Sequence, residues 1–304
     1  MKRRDFLAAA AGSAGMASQA TGAPRQAPET GIEFRRLPIR KGVEYDMLPS
    51  GLTPSGRFRL AKACGFESVE VGTTPDPALA AEIGRASKDS GVPIHSVMNK
   101  AHWENPLSSP KPEVVARGVQ GMETSIGNAK LWGAKTVLLV PAVVTPEVSY
   151  QQAWERSQQE IRKLLPLAEK SGVIIAIEEV WNKFLLSPLE FARYVDDFQS
   201  PWVRAYFDVG NVVLYGFPQD WIRTLGSRIV KLHLKDFSFK RNASLGKSVA
   251  DWVNLGDGQI DWKAVYHALS DIGYQGDATV ELAGGDELYL KDVSRRVEAI
   301  LRNA

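Results

Sequence analysis

Four polar residues lie at, or one step from, the ends of apolar runs in the second half of the chain: Glu178, Asp208, His233 and Glu281. Burying a carboxylate or an imidazole without a partner costs several kcal/mol. Because the four occur in succession, each separated from the next by a helix-like segment, they indicate one shared partner. Three carboxylates and one imidazole suit Mn²⁺, Mg²⁺, Co²⁺ or Zn²⁺. The sequence therefore predicts a divalent metal site.

Strand-like and helix-like segments alternate along the chain and would position these four residues. The predicted strands are 42–47, 68–71, 93–98, 136–140, 173–178, 203–208, 229–234 and 278–282. The predicted helices are 54–64, 77–90, 112–131, 150–170, 188–198, 219–225, 262–272 and 287–302. Five glycines mark expected helix ends, namely Gly65, Gly91, Gly133, Gly172 and Gly273. A glycine tolerates the left-handed conformation that often closes a helix.

Eight such units within this length predict a single-domain (β/α)₈ TIM barrel spanning residues 32–304. A doubly wound open sheet is the alternative, because Glu44 and Asp46 interrupt the first predicted strand. One connection, residues 236–261, is much longer than the others. Long connections in compact domains are often functional, so this one is expected to form a lid or a substrate loop.

Strand parity decides which side chains would face the site. In a parallel barrel the strands' carboxyl ends meet at one face, and side chains two residues apart point the same way. The four candidate ligands should therefore converge from the fifth to the eighth strands. Alternation along the fifth strand selects Glu178 over Glu179 as the ligand. By the same parity Lys235 points with His233, where it could stabilise an oxyanion; a solvated lysine at the rim is the alternative.

Composition narrows the classes of partner. The chain has 304 residues, of which 44% are hydrophobic and 24% charged, and its formal net charge is +2. That charge gives no support for nucleic-acid binding through bulk electrostatics. Cys64 is the only cysteine, which excludes an intrachain disulfide and a cysteine-rich zinc site. A small-molecule partner is expected.

The first residues resemble an export signal. A basic start with the Arg3-Arg4 pair and Phe6-Leu7 precedes an Ala/Gly-rich stretch to about residue 20. This pattern predicts a twin-arginine signal peptide over residues 1–20, a linker over 21–31 and a periplasmic protein. The stretch is too short and too weakly apolar to span a bilayer, so no stable membrane anchoring is expected. A disordered basic N-terminus is the alternative.

Five motifs, in this order and spacing, resemble the xylose isomerase-like sugar isomerases and epimerases over nearly the whole mature chain. They are Ala176-Ile-Glu-Glu-Val-Trp-Asn, Tyr206-Phe-Asp-Val-Gly-Asn, Lys231-Leu-His-Leu-Lys-Asp, Gly256-Asp-Gly-Gln-Ile-Asp-Trp and Thr279-Val-Glu-Leu. The group includes ketose 3-epimerases, ribulose-5-phosphate 3-epimerases and hydroxypyruvate isomerases. The resemblance implies that Glu178, Asp208, His233 and Glu281 bind the metal, with Glu178 and Glu281 as the paired acid and base.

The chemistry of such a site agrees with those roles. A divalent cation bound to a ketose carbonyl and its neighbouring hydroxyl acidifies the C–H bond between them and stabilises an enediolate. Two carboxylates on opposite sides of that carbon can remove a proton from one face and return it to the other, which is epimerisation. Return to the adjacent carbon is aldose–ketose isomerisation. The same proton abstraction from a 3-keto-glycoside leads to β-elimination, and the sequence leaves these outcomes open.

Five residues are predicted to contact the sugar: His102, Trp103, Asn211, Lys235 and Asp257. His102 and Trp103 follow the third strand in a segment that looks like a substrate-facing loop of the family, although a plain surface loop is equally compatible. Asn211 stands where free-ketose epimerases often carry a histidine, and Asp257 replaces a frequent glutamate between two glycines. Both departures bear on which sugar is bound. Glu70 is a weaker pocket-lining candidate.

Two other function classes compete with a sugar epimerase. An endonuclease-IV-like nuclease shares the barrel but uses many histidines for three zinc ions, whereas this chain has 4 histidines in all. A non-catalytic sugar-binding protein would keep the fold without turnover. Export disfavours a phosphorylated substrate, so an unphosphorylated sugar or sugar derivative is expected. A homo-oligomer remains compatible with the sequence.

Overall fold

The computed structural model of the chain describes residues 35–242 and 247–303. The predicted signal peptide and linker, residues 1–20 and 21–31, lie outside these described residues. Within them the strands are β1 Arg40–Glu44, β2 Ser68–Gly72, β3 Ile94–Met98, β4 Thr136–Leu139, β5 Ile174–Glu178, β6 Val203–Asp208, β7 Ile229–Leu234, β8 Asp236–Asn242, β9 Lys247–Val253 and β10 Asp277–Val280. The α-helices are α1 Pro54–Ala63, α2 Pro77–Ser90, α3 Pro112–Trp132, α4 Tyr150–Ser171, α5 Pro188–Asp196, α6 Pro218–Leu225, α7 Trp262–Asp271 and α8 Glu287–Arg302.

Eight of these strands form a closed parallel barrel in the order β1-β10-β7-β6-β5-β4-β3-β2. Closure is explicit at β1, where Gly42 pairs with Thr279 of β10 on one side and with Ser68 of β2 on the other. The predicted (β/α)₈ barrel is therefore confirmed, and the open-sheet alternative is wrong. β1 itself begins two residues earlier than expected, because Arg40 already pairs with Asp277.

Helix ends follow the predicted glycine signals. Gly91, Gly133 and Gly172 close α2, α3 and α4 in the left-handed conformation, with φ of 73°, 76° and 64°. At the start of α4, Ser149 and Gln152 form a reciprocal capping box. None of the helices in the described part of the chain combines the length and the apolar composition that a membrane span needs.

The interior of the barrel is partly apolar and partly charged. A small cluster that includes Leu138, Ala176 and Tyr206 fills its middle, and Ile174 packs against it. This cluster confirms that alternate residues of β5 point inward. A much larger apolar cluster, which includes Phe58, Ile161 and Trp221, holds the helices to the strands.

The long connection after β7 is an antiparallel hairpin, β8–β9, rather than an irregular loop. Asp236 fixes its base by accepting hydrogen bonds from the backbone N–H groups of Phe237, Gly256 and Gly258 at 2.8, 2.9 and 3.2 Å. The indole N–H of Trp262 donates to the same carboxylate at 2.9 Å. A Cβ at position 258 would overlap the Asp236 carboxylate, so only glycine fits there.

Candidate active site

Four side chains meet at the carboxyl end of the barrel. One ligand atom from each of Glu178, Asp208, His233 and Glu281 lies within 4.8 Å of the others, and we call this group the ligand cluster. The strand register explains the convergence, since Asp208 pairs directly with His233 across β6 and β7. Glu178 ends β5 on one side of this pair and Glu281 follows β10 on the other. The predicted convergence of the four residues is confirmed.

His233 Nδ1 points at the three carboxylates of the ligand cluster. It lies 2.9 Å from Glu178 Oε1, 2.9 Å from Glu281 Oε2 and 3.8 Å from Asp208 Oδ2. Glu178, Asp208 and His233 are buried, whereas Glu281 is half-buried. The cluster is thus open to the mouth of the barrel mainly on the side of Glu281.

The charges in the ligand cluster do not balance. Burial raises the pKa of Glu178 to about 7, against the opposing effect of His233. Burial alone would raise the pKa of Glu281, but the positive charges of His233 and Lys235 outweigh it and hold that pKa below its usual range. Three acids therefore share one lysine and one imidazole, which leaves room for further positive charge.

Two oxygens of the ligand cluster also lack hydrogen bonds. Asp208 Oδ2 and Glu281 Oε2 are buried and accept no hydrogen bond from the described residues. Lys235 Nζ approaches them at 2.9 and 2.7 Å as an ion pair. One ammonium is thus shared between two buried carboxylates, which leaves part of their charge for a further cation. The donor set of three carboxylates and an imidazole therefore fits a divalent cation.

Glu70 supports His233 from inside the barrel. Its Oε2 lies 2.6 Å from His233 Nε2 and accepts a hydrogen bond of 3.1 Å from the Tyr206 hydroxyl. Glu70, Tyr206 and His233 are all fully buried. A carboxylate that binds the second nitrogen of a metal-ligating histidine fixes the orientation of the ring. The sequence predicted Glu70 only as a weaker pocket-lining candidate, and nothing in the sequence indicated its contact with His233.

Glu179 holds the backbone of the neighbouring strand instead of joining the ligand cluster. Its Oε1 accepts a hydrogen bond of 2.9 Å from the backbone N–H of Asp208. Burial, followed by the nearby charges of Asp208 and Glu178, raises the pKa of Glu179 well above its usual value. The selection of Glu178 over Glu179 as the candidate ligand agrees with this geometry.

Glu44 is an inward-facing acid that the sequence presented only as an interruption of the first strand. Glu44 ends β1 and lies two residues after Gly42, so both residues face the same side of the strand. A Cβ added at Gly42 would lie 2.8 Å from Thr279 Oγ1, inside the barrel. Burial, followed by the negative charges of Glu281 and Glu70, raises the pKa of Glu44 to about 7. Glu44 therefore belongs electrostatically to the mouth of the barrel.

Lys235 points towards the ligand cluster, as strand parity predicted, whereas His102 lies in the turn after β3 and its contact with a sugar stays a prediction. His102 is buried, and its Nδ1 accepts a hydrogen bond from the backbone N–H of Val140 at 3.4 Å. Burial lowers the pKa of His102 to about 4, against the pull of Glu281, so the ring is neutral at pH 7. Trp103 is 58% exposed and meets the His102 ring edge-on, with 4.9 Å between ring centroids.

Asn211 and Asp257 are engaged by the protein itself. The Asn211 side chain donates to the Glu179 carbonyl at 2.8 Å, which braces the loop after β6. Asp257 forms an ion pair of 2.9 Å with Arg296 on α8. The two glycines beside Asp257 wrap the Asp236 carboxylate, which turns Asp257 towards that helix. Contact between Asp257 and the sugar stays a prediction.

Aromatic side chains border the ligand cluster on the hairpin side. Trp181 and Trp252 stack with 4.9 Å between ring centroids and an interplanar angle of 22°. Phe237 meets both edge-on, at 5.1 and 4.9 Å. We call Trp181, Phe237 and Trp252 the aromatic wall. Lys235 Nζ lies 5.1 Å from the centroid of the Trp252 ring, so the wall adjoins the charged centre.

Comparison with known proteins places the chain in a family. The model of the family described as "Xylose isomerase-like TIM barrel" matches residues 58–299. The chain belongs to this xylose isomerase-like TIM barrel family. The family match covers every residue of the ligand cluster.

Relatives and solved structures agree with that assignment. The L-ribulose-5-phosphate 3-epimerase UlaE of Salmonella paratyphi A is 26% identical over 263 residues, which span 82% of this chain and 88% of the relative. A structure of L-ribulose 3-epimerase has a TM-score of 0.71 at 19% identity and covers 87% of this chain and 95% of that chain. The apo structure of 3-keto-D-glucoside 4-epimerase YcjR from E. coli has a TM-score of 0.70 at 17% identity and covers 88% of this chain and 100% of that chain. The comparisons confirm the predicted family and the predicted enzyme class, a sugar epimerase.

Proposed function

We propose that the protein is a divalent-metal-dependent epimerase that moves a proton on the carbon beside a ketose carbonyl. The observation that carries this proposal is the ligand cluster, in which two glutamates flank an aspartate and a histidine. The buried oxygens of Asp208 and Glu281, which share the single ammonium of Lys235, support a bound cation. The name of the relative UlaE supports a sugar substrate.

Glu178, Asp208, His233 and Glu281 would hold the cation. When bound, it supplies positive charge that acidifies the C–H bond between a carbonyl and its neighbouring hydroxyl. Glu178 and Glu281 come from β5 and β10, the two ends of an arc that also contains β6 and β7. One carboxylate takes the proton from one face of the carbon, and the other returns a proton to the opposite face. Lys235 lies beside Glu281, where its charge favours a negative oxygen.

Solvent exchange tests this function. The purified protein, loaded with Mn²⁺ or Co²⁺, is incubated in heavy water with a panel of ketoses, and deuterium at the carbon beside the carbonyl is measured by NMR. We expect stereochemical inversion with deuterium incorporation, its loss with a chelator and its return with added metal. Tight metal binding without exchange in any ketose would instead indicate a non-catalytic binding protein.

A second reaction, β-elimination from a 3-keto-glycoside, uses the same proton abstraction. The aromatic wall beside Lys235 favours it as a candidate, because a glycoside carries a group beyond the reacting ring. The name of the similar structure YcjR, a 3-keto-D-glucoside 4-epimerase, adds support for oxidised glycosides. Release of the aglycone from a 3-keto-glycoside identifies elimination, whereas epimerisation retains it.

We further propose that residues 1–20 direct the protein to the periplasm through the twin-arginine route. The Arg3-Arg4 pair and the Ala-rich stretch after it support this proposal. Cell fractionation of the native chain and of a double Arg3→Lys, Arg4→Lys variant is the test. We expect the native protein in the periplasm and the variant in the cytoplasm; equal distributions would refute this route.

A further inference from the structure

The aromatic wall leaves apolar surface exposed to solvent. Trp181 and Trp252 are each 40% exposed, although both are held in fixed contacts. Single exposed apolar residues are common on protein surfaces, but a contiguous apolar patch beside a pocket marks a binding site. We propose that the aromatic wall is a subsite for a second six-membered ring attached to the reacting sugar. The substrate is then a glycoside, and this inference rests on the proposed function.

The wall is continuous with the ligand cluster. The Trp252 ring lies 5.1 Å from Lys235 Nζ, and that nitrogen lies 2.7 Å from Glu281 Oε2. Gly210, two residues after Asp208, permits this approach, because a Cβ there would lie 3.1 Å from the Trp252 ring and 2.5 Å from Lys235 Cγ. A ring bound at the ligand cluster would therefore extend directly onto the wall.

The wall is also held in place by contacts within the protein. The Trp181 indole N–H donates to the Asn211 carbonyl at 2.7 Å. Phe237 is buried beneath both indoles, and its neighbour Asp236 fixes the base of the hairpin. A surface that is ordered before binding costs little conformational entropy when a ligand arrives. The exposed indoles are therefore suited to recognising a ligand.

The chemistry of the wall favours a neutral ring over a phosphate. The negative π face of an indole attracts the weakly positive C–H groups on the face of a pyranose. The cation next to the wall, Lys235, is already paired with Asp208 and Glu281. An anionic group would compete with those carboxylates, whereas a second sugar ring or an aryl aglycone would only stack. Both of these ligands present the broad face of a six-membered ring that can stack on an indole.

Equilibrium binding to the Mg²⁺-loaded protein tests the subsite without turnover. The probes are methyl β-D-glucoside, cellobiose and phenyl β-D-glucoside, together with the matching methyl glycoside and disaccharide of other hexoses. We expect two-ring ligands to bind roughly tenfold more tightly than their one-ring analogues. Preference for cellobiose identifies a sugar in the subsite, and preference for the phenyl glucoside identifies an aryl aglycone.

Substitutions in the aromatic wall test whether the wall causes the preference for two-ring ligands. Trp252→Ala and Trp181→Ala should each abolish the preference for two-ring over one-ring ligands, and Trp252→Phe should restore part of it. Phe217→Ala is the matched control, because Phe217 is 72% exposed and lies outside the wall. Equal affinity for one-ring and two-ring ligands in the native protein would overturn the subsite. So would a dimer that Trp252→Ala converts to monomer, since the wall would then be covered by a second copy.

The outcome is separable from that of the proposed function. Preference for two-ring ligands without any deuterium exchange would support the subsite and contradict the epimerase function. Deuterium exchange in free ketoses without preference for two-ring ligands would support the epimerase function and contradict the subsite. Circular dichroism of each Trp variant confirms that it is folded.

Discussion

Two charged clusters lie inside the same barrel, and they differ in how completely their charges are paired. At the amino-terminal side, Asp277 accepts hydrogen bonds from Ser68 at 2.8 Å, Lys231 at 2.5 Å and Arg40 at 2.9 Å. We call these four residues, with the adjacent His95, the basal cluster. Both oxygens of its single carboxylate are satisfied. In the ligand cluster at the other end, acids outnumber bases and two buried oxygens accept no hydrogen bond from the described residues.

This difference separates a structural use of buried charge from a functional one. A buried acid can be neutralised by basic side chains of the same chain. Its role is then structural, because it helps to hold the barrel together. An acid cluster left short of positive charge costs stability unless a cation supplies it. The basal cluster is of the first kind and the ligand cluster of the second. Substitutions at the two ends should therefore affect different measurements.

The largest effect is expected for the acid and base. Glu178→Gln and Glu281→Gln should each lower the rate of deuterium exchange by roughly 10²–10⁴-fold, because glutamine cannot accept the proton. Exchange is measured by NMR at saturating metal. Near-native exchange in both variants would contradict the acid–base assignment.

At the basal cluster the loss should appear in stability instead. Asp277→Asn leaves Lys231 buried without its counter-charge and should lower the free energy of unfolding by roughly 3–5 kcal/mol. Urea unfolding measures this change, and exchange per folded molecule should stay near native. Arg40→Met is the control: the Arg40 side chain is 54% exposed, so its loss should cost less than about 1 kcal/mol. Equal losses in the two variants would mean that the buried pair has no special role.

A smaller effect is expected at Glu70, which touches the ligand cluster without joining it. Glu70→Gln should weaken metal affinity roughly 10–100-fold, because His233 loses the carboxylate that orients its ring. Calorimetric titration with Mn²⁺ measures the affinity of the native protein and the variant. Glu67→Gln is the matched control, since Glu67 pairs with Arg36 at the surface. A Glu70→Gln protein with native affinity would show that His233 needs no support.

The smallest effect is a pH dependence at the basal cluster. Burial, followed by the charge of Lys231, lowers the pKa of His95 from 6.5 to about 3. Between these two pKa values, His95 is protonated in the unfolded chain and neutral in the folded protein. The free energy of unfolding therefore falls as the pH decreases through this range. The free energy of unfolding of native protein should fall relative to His95→Gln by up to about 1.4 kcal/mol per pH unit below 6.5.

This dependence is measured by urea unfolding at pH 7, 6 and 5 in the presence of a chelator. Parallel curves for native protein and His95→Gln would contradict a neutral, buried His95.

Much of the fold could be read from local sequence signals. The spacing of apolar residues and the glycines after the helices are properties of short segments, and they predicted most element bounds to within one or two residues. The least accurate strand was β1, where Glu44 and Asp46 hid the apolar pattern. The hairpin β8–β9 was expected only as a long loop, because its stability depends on hydrogen bonds that converge on Asp236 from residues about twenty positions away.

The sequence by itself determined the four candidate ligands, because parity and strand ends are set by the backbone geometry of each strand. Only the tertiary structure decided which side chains support them. Glu70 on β2 reaches His233 on β7 across the barrel, past β1 and β10. Asp257 pairs with Arg296 on α8, beside the glycines that bind Asp236. Such contacts depend on closure of the barrel, which brings distant strands within hydrogen-bonding distance and leaves no trace in the local pattern of residues.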